Sequence, residues 1–353
     1  MKILHCADVH LGSKMDSRLP AEKARERRME LRSSFLGMVE YAKINKVAAI
    51  IIAGDLFDSD RPLKKDKEFF YNVVKSNPQT DFLYLRGNHD ALQSYTRELE
   101  NLKYFSDKWT AYRYGNVVIY GAELTAGNYS SLYSSLAPDE KDINIAVLHG
   151  NISDTVGTDK IALPRMRDKN IDYLALGHYH TFQKGRIDGR GEYCYSGCLE
   201  GRGFDEAGAK GFVMLDITDR VRAEFVRYSC RTVNVYDVDV TGARDDYQDY
   251  NLVKGAVACP KSDIVRVIIS GEVGFDNADL AAETQKRLMR ENFYCVSVKD
   301  KTFRKLDLAD YEGDATLAGE FVRLVLSDDG LDGELKRSII SVGLKALSGR
   351  EID

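Results

Sequence analysis

The sequence predicts an α/β domain followed by a smaller α+β domain. Over residues 1–229, apolar β-rich runs alternate with helical stretches. These runs are almost continuously apolar, which is typical of strands that are buried on both faces of a sheet. From residue 230 onward there is no histidine, and the pattern changes to two strands and three helices. We therefore place a domain boundary between residues 229 and 230 of the 353-residue chain, giving domains 1–229 and 230–353.

The first domain contains eight predicted strands and two predicted helices. Leu31, Phe35, Met38 and Val39 recur at helical spacing, so a helix is expected over 21–45, and a second is expected over 64–76. The later strands follow one another closely and are expected to pair antiparallel, which makes the sheet content mixed. The strands are predicted over 2–8, 47–54, 81–87, 117–124, 143–150, 172–178, 191–197 and 210–217.

The second domain has a simpler pattern. An apolar run over 264–271 and another over 294–300 read as strands, with a helix over 277–292 between them. Two amphipathic helices are expected over 317–327 and 333–348. The sequence has no internal repeat, and no low-complexity linker separates the two domains.

Composition indicates an ordinary globular protein, with 44% apolar and 30% charged residues. No apolar run reaches 18 residues and no signal segment opens the chain, so we expect a cytoplasmic protein without a membrane partner. The six cysteines lack Cys-x-x-Cys spacing and are expected to be reduced thiols. The net charge is −5, with +1 over 1–229 and −6 over 230–353, so the total does not decide whether the partner is a polyanion.

Polar blocks follow five of the apolar runs, and they contain five of the six histidines. In an open α/β sheet, ligands bind beyond the carboxyl ends of the strands, where these blocks lie. Each block alone is also explained by a turn or a helix cap. Together they point to one site. The blocks are ADVHLG (7–12), GDLFD (54–58), GNHD (87–90), LHGN (148–151) and GHYH (177–180).

The blocks supply imidazoles, carboxylates and one amide but no thiolate, a set suited to manganese, iron or zinc. Seven such residues exceed the needs of one catalytic ion, so two ions sharing a carboxylate are expected. Asp8 and His10 are two residues apart and would point the same way on an extended segment, as would His178 and His180. The candidate ligands are Asp8, His10, Asp55, Asn88, His149, His178 and His180.

In order and residue type, the five blocks resemble the calcineurin-like metallophosphoesterase signature. LHCADVHLG, GDLFD, RGNHD and GHYH are more closely similar to the SbcD/Mre-type DNA double-strand-break repair nucleases and their YhaO-like bacterial relatives. The resemblance covers residues 1–215. It implies a two-sheet β-sandwich flanked by helices (α/β/β/α) and a smaller α+β capping domain that binds DNA or a partner.

The resemblance also assigns roles to the residues of the blocks. It implies that Asp8, His10 and His180 hold one ion and that Asn88, His149 and His178 hold the other, with Asp55 bridging. It makes His89 the imidazole that contacts the scissile phosphate and Asp90 the group that orients His89. Some of these nucleases carry a histidine at the position of Asp58, whereas aspartate is found in the SbcD-like branch. Manganese is the expected metal, with iron, zinc and magnesium as alternatives.

The function implied is a metal-dependent DNA nuclease acting in DNA repair and recombination. Exonuclease activity is expected first and single-strand endonuclease activity second. A small-molecule phosphatase or cyclic-nucleotide phosphodiesterase on the same dinuclear core is the alternative. A non-catalytic scaffold is a third reading, and the complete ligand set together with His89 argues against it.

A DNA substrate requires cations near the metal crevice, and several basic residues flank the blocks. The alternative is that they lie on solvated turns. The stretch KARERRMELR (23–32) mixes signs at helical spacing, a pattern typical of an exposed helix face rather than a binding patch. The candidate DNA-binding residues are Arg61, Lys64, Arg86, Lys184 and Arg202.

The last predicted helix has a wide apolar face that includes Leu335, Ile339 and Val342. This face either closes the core of the small domain or docks a coiled coil. The resemblance implies an SbcC-type coiled-coil ATPase as a partner. It also implies a homodimer formed through helices near 30–45 and 91–105.

Overall fold

The computed structural model describes residues 1–15, 19–90, 97–275, 279–304, 311 and 313–347. The chain divides into two compact units, Met1–Asn234 and Val235–Asp353. The first unit carries every histidine of the chain.

The first unit is built mainly of strands, with two α-helices near its start. The helices are α1 (Ala21–Ile44) and α2 (Lys64–Lys75), and short 3₁₀ helices cover Leu132–Ser135, Leu163–Met166 and Phe204–Glu206. The strands are β1 (Lys2–Cys6), β2 (Ala49–Ala53), β3 (Asp81–Leu85), β4 (Leu102–Tyr104), β5 (Thr110–Tyr114), β6 (Val117–Gly121), β7 (Ile143–His149), β8 (Asn151–Ser153), β9 (Lys160–Ala162), β10 (Tyr173–Gly177), β11 (Gln183–Arg186), β12 (Glu192–Tyr195), β13 (Gly211–Ile217) and β14 (Val221–Arg227).

The long strands form two mixed six-stranded sheets. The first sheet has the order β14-β13-β1-β2-β3-β4 and the second the order β11-β12-β10-β7-β6-β5. In the first sheet β1 to β4 run parallel, and in the second β12, β10, β7 and β6 run parallel. The outer strands that pair antiparallel are β13 with β1, β14 with β13, β11 with β12, and β5 with β6. The carboxyl ends of the parallel strands in each sheet therefore lie at one edge.

The long strands carry apolar side chains on both faces. One apolar face of each sheet therefore packs against the other sheet. Ile3 of β1 and Ile51 of β2 belong to one buried cluster with Val147 of β7 and Ala175 of β10. His5 of β1 lies in the same layer, with its Nδ1 3.0 Å from the Tyr173 hydroxyl. Burial lowers the pKa of His5 to about 3, and this outweighs a backbone hydrogen bond of Leu176 that raises it. His5 is therefore a neutral interior residue.

The outer faces of the sheets are covered in different ways. Leu4 and Ile52 of the first sheet pack against Phe35 of α1 and Phe70 of α2. Residues of the second sheet instead pack against the 3₁₀ segments, which contribute Leu132, Tyr133 and Met166. The predicted two-sheet α/β architecture is confirmed. Within the described part of this unit, α-helices cover the first sheet and 3₁₀ helices the second.

The second unit is a small α+β assembly. Its three strands are β15 (Val233–Asp239), which begins in the first unit, β16 (Ile264–Val273) and β17 (Cys295–Arg304), in the order β15-β16-β17. Its helices are α3 (Asp246–Ala256), α4 (Leu280–Arg290), α5 (Leu317–Leu326) and α6 (Gly333–Leu347). The strands β16 and β17 are parallel and are joined through α4. One core contains Val253 of α3, Val267 and Ile269 of β16, and Leu288 of α4.

Several elements differ from the sequence prediction. Strands β4, β5, β8, β9, β11, β14 and β15 and helix α3 were not predicted, because the strands are short or lie at edges and lack a continuous apolar run. The dimerisation helix expected near 91–105 is wrong over its described part, since Leu102–Tyr104 forms strand β4. Residues 91–96 lie outside the described part of the chain. Among the described helices, none is long and apolar enough to cross a membrane.

Candidate metal centre

The carboxyl ends of β1, β2 and β3 in one sheet and of β7 and β10 in the other bring the five polar blocks together. Backbone hydrogen bonds join the first two blocks, from Asp8 N–H to Gly54 O and from His10 N–H to Asp55 O, each at 3.0 Å. The backbone N–H of His178 donates to both carboxylate oxygens of Asp8 at 3.0 Å, which joins the first and last blocks. The site therefore lies where the two sheets meet.

Asp8, His10 and His180 form the first group of potential metal ligands. His10 Nε2 lies 3.3 Å from His180 Nε2, and His180 Nε2 lies 3.8 Å from Asp8 Oδ1. These three residues offer ligand atoms that all lie within 4.8 Å of one another. Asp8 and His10 are buried. The group supplies two imidazole nitrogens and a carboxylate to one small volume, a donor set that fits a divalent cation.

Asn88, His149 and His178 form a second group next to the first. Asn88 Oδ1 lies 2.9 Å from His149 Nε2 and 3.0 Å from His178 Nδ1. The side chain of Asn88 is exposed, whereas His149 is buried. The amide oxygen is a neutral ligand, so it would fill a coordination position without adding negative charge.

Asp55 lies between the two groups. Its Oδ2 is 3.9 Å from His10 Nε2 of the first group and 3.5 Å from His149 Nε2 of the second. Asp8, Asp55 and His149 also offer ligand atoms within 4.8 Å of one another. A carboxylate in this position is the shared ligand that a two-ion site requires.

Outer polar partners, two of them hydrogen-bonded and one at ion-pair distance, turn three of the imidazoles so that Nε2 faces the centre. His149 Nδ1 lies 2.9 Å from the Ala53 carbonyl oxygen, and His180 Nδ1 lies 2.7 Å from Glu206 Oε1. His10 Nδ1 lies 3.1 Å from Asp58 Oδ1. Acceptors behind metal-ligating histidines commonly fix the ring and its tautomer in this way. This arrangement is a second observation that fits bound metal.

Four of the seven candidate ligands have left-handed backbone conformations. The φ angles are 50° at Asp8, 53° at His10, 51° at Asp55 and 96° at His178. Non-glycine residues rarely adopt such angles, and residues that do so cluster at functional sites. The expectation that Asp8 and His10 share an extended segment is wrong, and so is the same expectation for His178 and His180. Their side chains converge through turns instead of strand alternation.

Two glycines permit the close approach of the blocks. A Cβ atom on Gly54, which has a φ of 96°, would lie 2.0 Å from His149 Nδ1. A Cβ atom on Gly87 would lie 2.2 Å from Asp55 Oδ1. Any side chain at either position would therefore displace a candidate ligand.

The electrostatics of the centre keep the carboxylate of Asp55 ionised. Burial raises the pKa of the Asp55 carboxyl, but the hydrogen bond and charge of His149 and the charge of His10 outweigh burial and leave the pKa below its ordinary value. Burial lowers the pKa of His149, but the hydrogen bond and charge of Asp55 raise it to about 9. Opposite charges in a buried site stabilise each other in this way.

A charged group lies behind His180, and its role there was not predicted from the sequence. Arg202 donates to Glu206 Oε1 at 2.8 Å and to Asp58 Oδ1 at 2.8 Å. Burial raises the pKa of Glu206, but hydrogen bonds from His180 and Arg202 outweigh it, so the pKa is lowered and the residue is ionised. Glu206 follows no strand and belongs to no block, so the sequence held no signal for it. GDLFD contained Asp58 but did not show which imidazole it would meet.

Helix α1 anchors the segment that carries Arg202 and Glu206. Arg27 is buried and donates to Glu200 Oε2 at 2.8 Å and to the Gly201 carbonyl oxygen at 3.0 Å. Ser34 Oγ donates to the other oxygen of Glu200 at 2.5 Å. The interpretation of 23–32 as a solvated helix face is therefore wrong for Arg27, since tertiary contacts bury its guanidinium.

The three neighbours Asn88, His89 and Asp90 have different surroundings. The His89 ring is exposed and lies edge-on to His10, with ring centres 5.0 Å apart, and its backbone N–H donates to Asp55 Oδ1 at 2.9 Å. Asp90 is fully buried. Its carboxylate accepts from Tyr84 Oη and from the backbone N–H groups of Leu56, Phe57 and Gly87.

These contacts change how Asp90 is expected to act. Among the described residues, the hydrogen-bond partners of its carboxylate do not include the imidazole of His89. Asp90 instead joins the backbone of the GDLFD block to the glycine before Asn88. We therefore propose that Asp90 acts on His89 through the loop backbone and not through its imidazole.

The candidate DNA-binding residues differ in their exposure and in their ion pairs within the protein. Arg61 and Lys64 are exposed, and the exposed Lys64 lies 3.6 Å from Glu68. Lys184 is exposed and lies 4.0 Å from Glu192. Arg86 instead forms a two-bond ion pair with Glu123 at 2.7 and 2.6 Å. Arg202 is likewise paired with Asp58 and Glu206. These ion pairs indicate that Arg86 and Arg202 stabilise the fold, whereas Arg61, Lys64 and Lys184 are exposed.

Comparison with known proteins identifies the family. The model of the calcineurin-like phosphoesterase family matches residues 1–182. The chain belongs to that family. Membership assigns this part of the chain to the phosphoric ester hydrolases and implies divalent metal ions, for which the Asp and His clusters provide ligands.

The relatives of this phosphoesterase include proteins named for DNA repair. The chain is 26% identical to the DNA double-strand break repair protein Mre11 of Sulfurisphaera tokodaii over 204 residues, which cover 53% of this chain and 51% of that one. It is 23% identical to Mre11 of Methanosarcina mazei over 358 residues, covering 94% of this chain and 56% of that one. It is 36% identical to the SbcD component of the SbcCD nuclease of Escherichia coli over 95 residues, covering 26% and 22%. The resemblance to SbcD/Mre-type proteins is confirmed, and the chain spans about half the length of the Mre11 relatives named here.

Proposed function

We propose that this phosphoesterase is a metal-dependent DNA nuclease of the SbcD/Mre type, acting as an exonuclease, and on single strands as an endonuclease, in DNA repair and recombination. The observation that carries the proposal is the position of Asp55 Oδ2 between His10 Nε2 and His149 Nε2, with a separate ligand group on each side. The names of the Mre11 and SbcD relatives support DNA as the substrate.

In this proposal the centre holds two divalent ions, with manganese first and iron, zinc or magnesium as alternatives. Asp8, His10 and His180 would hold one, Asn88, His149 and His178 the other, and Asp55 both. When bound, the ions neutralise charge on the phosphodiester and lower the pKa of the attacking water. Glu206, Asp58 and the Ala53 carbonyl oxygen keep the imidazoles turned toward them.

His89 is the proposed catalytic residue that is not a metal ligand. Its imidazole is exposed beside His10, whereas the ligand His149 is buried. The backbone N–H of His89 donates to Asp55 Oδ1, and this hydrogen bond fixes the peptide that carries the ring beside the centre. From there it would contact the scissile phosphate and give a proton to the leaving oxygen.

The second unit supports the proposal of a coiled-coil ATPase partner of the SbcC type. Leu317 and Leu324 of α5 are about 70% exposed, and Leu335 and Val342 of α6 are nearly half exposed. Apolar side chains on two neighbouring helices are suited to docking an amphipathic helix. On α1, Leu36 and Ile44 are also exposed, which supports a homodimer through the 30–45 region. All six cysteines are free thiols, in keeping with a cytoplasmic location.

The test is degradation of end-labelled linear duplex DNA by the purified protein with manganese. His89→Ala should abolish degradation while the protein retains both ions, and its parallel purification controls for contaminating nucleases. Exposed Asp107→Asn is a control for handling. Hydrolysis of small nitrophenyl phosphate esters without DNA cleavage, with or without an ATPase partner, would instead establish a small-molecule phosphatase or cyclic-nucleotide phosphodiesterase.

A further inference from the structure

A basic cavity lies beside the metal centre. It has a volume of about 580 Å³ and opens between the segment after His10, the first half of α1 and the start of α2. Its charged lining residues are Lys14, Arg25, Arg28, Arg32, Lys65 and Asp66. We call the first five of these, with the space they enclose, the cationic pocket.

The acidic residue does not neutralise the pocket. Asp66 is 2% exposed and its Oδ1 accepts from Arg32, so one carboxylate is matched to one of the five cations. Four cations remain around the cavity. Such a concentration of one sign in a concave surface raises the local concentration of anions.

The remaining cations lack acidic partners among the described residues. Arg28 donates to the backbone carbonyl oxygen of Lys14 at 2.7 Å, which is a neutral acceptor. Lys14, Arg25 and Lys65 are exposed, and no ion pair joins them to a carboxylate in the described part of the chain. Elsewhere on α1 the usual pattern holds, since Lys23 pairs with Glu26 and Lys43 with Glu40. Among the described residues, the two cations of α1 without an ion pair, Arg25 and Arg28, therefore both line the cavity.

The walls of the pocket continue the loops of the metal centre. The Ser13 N–H donates to the His10 carbonyl oxygen at 3.0 Å, and Gly12 and Ser13 line the cavity. Gly12 is two residues from His10, so about 7 Å of chain at most separates their Cα atoms. On the opposite wall, Lys65 follows the GDLFD block by seven residues. A ligand in the pocket is therefore close to one at the metals.

We propose that the cationic pocket binds a phosphodiester group of the substrate strand, next to the scissile group held at the metals. Guanidinium groups offer paired N–H donors that match phosphate oxygens, and the lysines add charge. The inference rests on the proposed nuclease function and deepens it. A second phosphate site makes the enzyme favour a polyanionic strand over an ester with one phosphate.

The experiment compares Arg25→Gln/Arg28→Gln with Lys75→Gln/Lys141→Gln. The second pair removes two exposed cations that lie outside the pocket and outside the proposed dimer region. Glutamine keeps a high helix propensity at the three helical positions. Lys65→Gln, on the other wall, is an independent variant. The probe is a fluorescent single strand of about 20 nucleotides, titrated by anisotropy with a metal chelator at about 50 to 200 mM salt.

The Arg25/Arg28 variant should bind the strand roughly tenfold more weakly. The negative slope of log affinity against log salt should become shallower by about 1 to 2. Lys65→Gln should change both quantities in the same direction by about half as much. The Lys75/Lys141 variant should match the wild type. With manganese, the ratio of kcat/KM for the oligonucleotide to that for bis(nitrophenyl) phosphate should fall roughly tenfold in the Arg25/Arg28 variant.

Equal affinities and salt slopes for the two double variants would overturn the pocket, as would a wild type that does not bind the strand. Inorganic phosphate that competes as strongly as the oligonucleotide, at equal phosphate concentration, would assign the cavity to a free anion and overturn it too. Normal DNA cleavage with no pocket effect leaves the nuclease function intact. A pocket effect on binding without any DNA cleavage shows instead that the nuclease function has failed.

Discussion

At the scale of single residues, the centre depends on two buried carboxylates, Glu206 and Asp90, that are not candidate metal ligands. Glu206 is 5% exposed and accepts from His180 and Arg202, so it sets the orientation of one imidazole and neutralises one guanidinium. Asp90 has four donors around a fully buried carboxylate. Each of these carboxylates acts through a contact that a single substitution can remove.

Glu206→Gln should weaken metal binding. The amide keeps the size of the side chain but loses the charge that orients His180 and holds Arg202, and the loss of such outer partners typically costs 10- to 100-fold in metal affinity. Manganese titration followed by calorimetry measures the effect. Asp205→Asn is the matched control because Asp205 is the exposed neighbour of Glu206. Equal affinities in the two variants would show that Glu206 does not position the ligand.

Asp90→Asn should destabilise the first unit. An amide has one acceptor oxygen for donors that now share two, and its NH₂ group would face backbone N–H groups that it cannot bond. We expect a loss of about 2–4 kcal/mol in the free energy of unfolding, measured with urea. The exposed Asp107→Asn should change stability by less than about 0.5 kcal/mol. An Asp90 variant as stable as this control would contradict the role assigned to the buried carboxylate.

At the scale of elements, the site is made by turns that leave the strands sharply. Gly54 directly follows β2 and has a φ of 96°, and Asp8, His10 and Asp55 also have left-handed backbone conformations. These turns replace the strand alternation that would otherwise separate the side chains. The fixed strands on both sides hold the unfavourable conformations in place.

Gly54→Ala tests this close approach. The new Cβ would fall 2.0 Å from His149 Nδ1, so His149 must move and the backbone is also strained. We expect a loss of more than about 2 kcal/mol in stability together with weaker manganese binding. Gly115→Ala is the control, because Gly115 also has a positive φ, 63°, but a Cβ there meets nothing within 4 Å. It should lose about 1 kcal/mol and keep its metal affinity. Similar losses in both variants would show that backbone strain accounts for the effect without displacement of His149.

At the scale of the whole molecule, the candidate metal centre belongs to the first unit, and the second unit has a core of its own. That core contains an acidic residue, Asp249 of α3, which is fully buried. Thr284 Oγ1 donates to Asp249 Oδ2 at 3.4 Å. Burial raises the pKa of Asp249 to about 6, and the charges of Asp300 and Asp246 add to the rise against the Thr284 hydrogen bond.

The stability of the second unit should therefore fall as pH rises from about 4 to about 6. Over this range the folded form holds a proton that the unfolded form has lost, so folding is favoured at the acidic end. The difference is on the order of 1–3 kcal/mol. Asp249→Asn should remove this pH dependence and stabilise the unit at neutral pH. Hydrogen exchange of amides in α3 and β16 at about pH 4 and 6 measures it, after correction for intrinsic exchange rates. The exposed Asp237→Asn should retain the pH dependence, and its loss there would contradict the assignment.

The sequence by itself determined the α/β class, the order of the main elements and the candidate metal ligands. It could do so because strand burial and strand ends are written locally, in apolar runs followed by blocks such as GDLFD and GNHD. The family resemblance rests on the same local blocks.

Only the tertiary structure decided which outer groups support the site and which cations of the described residues line the cavity without an ion pair. Glu206 meets His180 across 26 residues, Arg27 meets Glu200 across 173, and the cationic pocket joins residues from 14 to 65. Charge patterning along 23–32 could not separate buried Arg27 from Arg25 and Arg28 in the cavity, because a helix face gains its environment from the segments packed against it. Contacts between distant segments depend on the packing of the two sheets and α1, which local patterns do not encode.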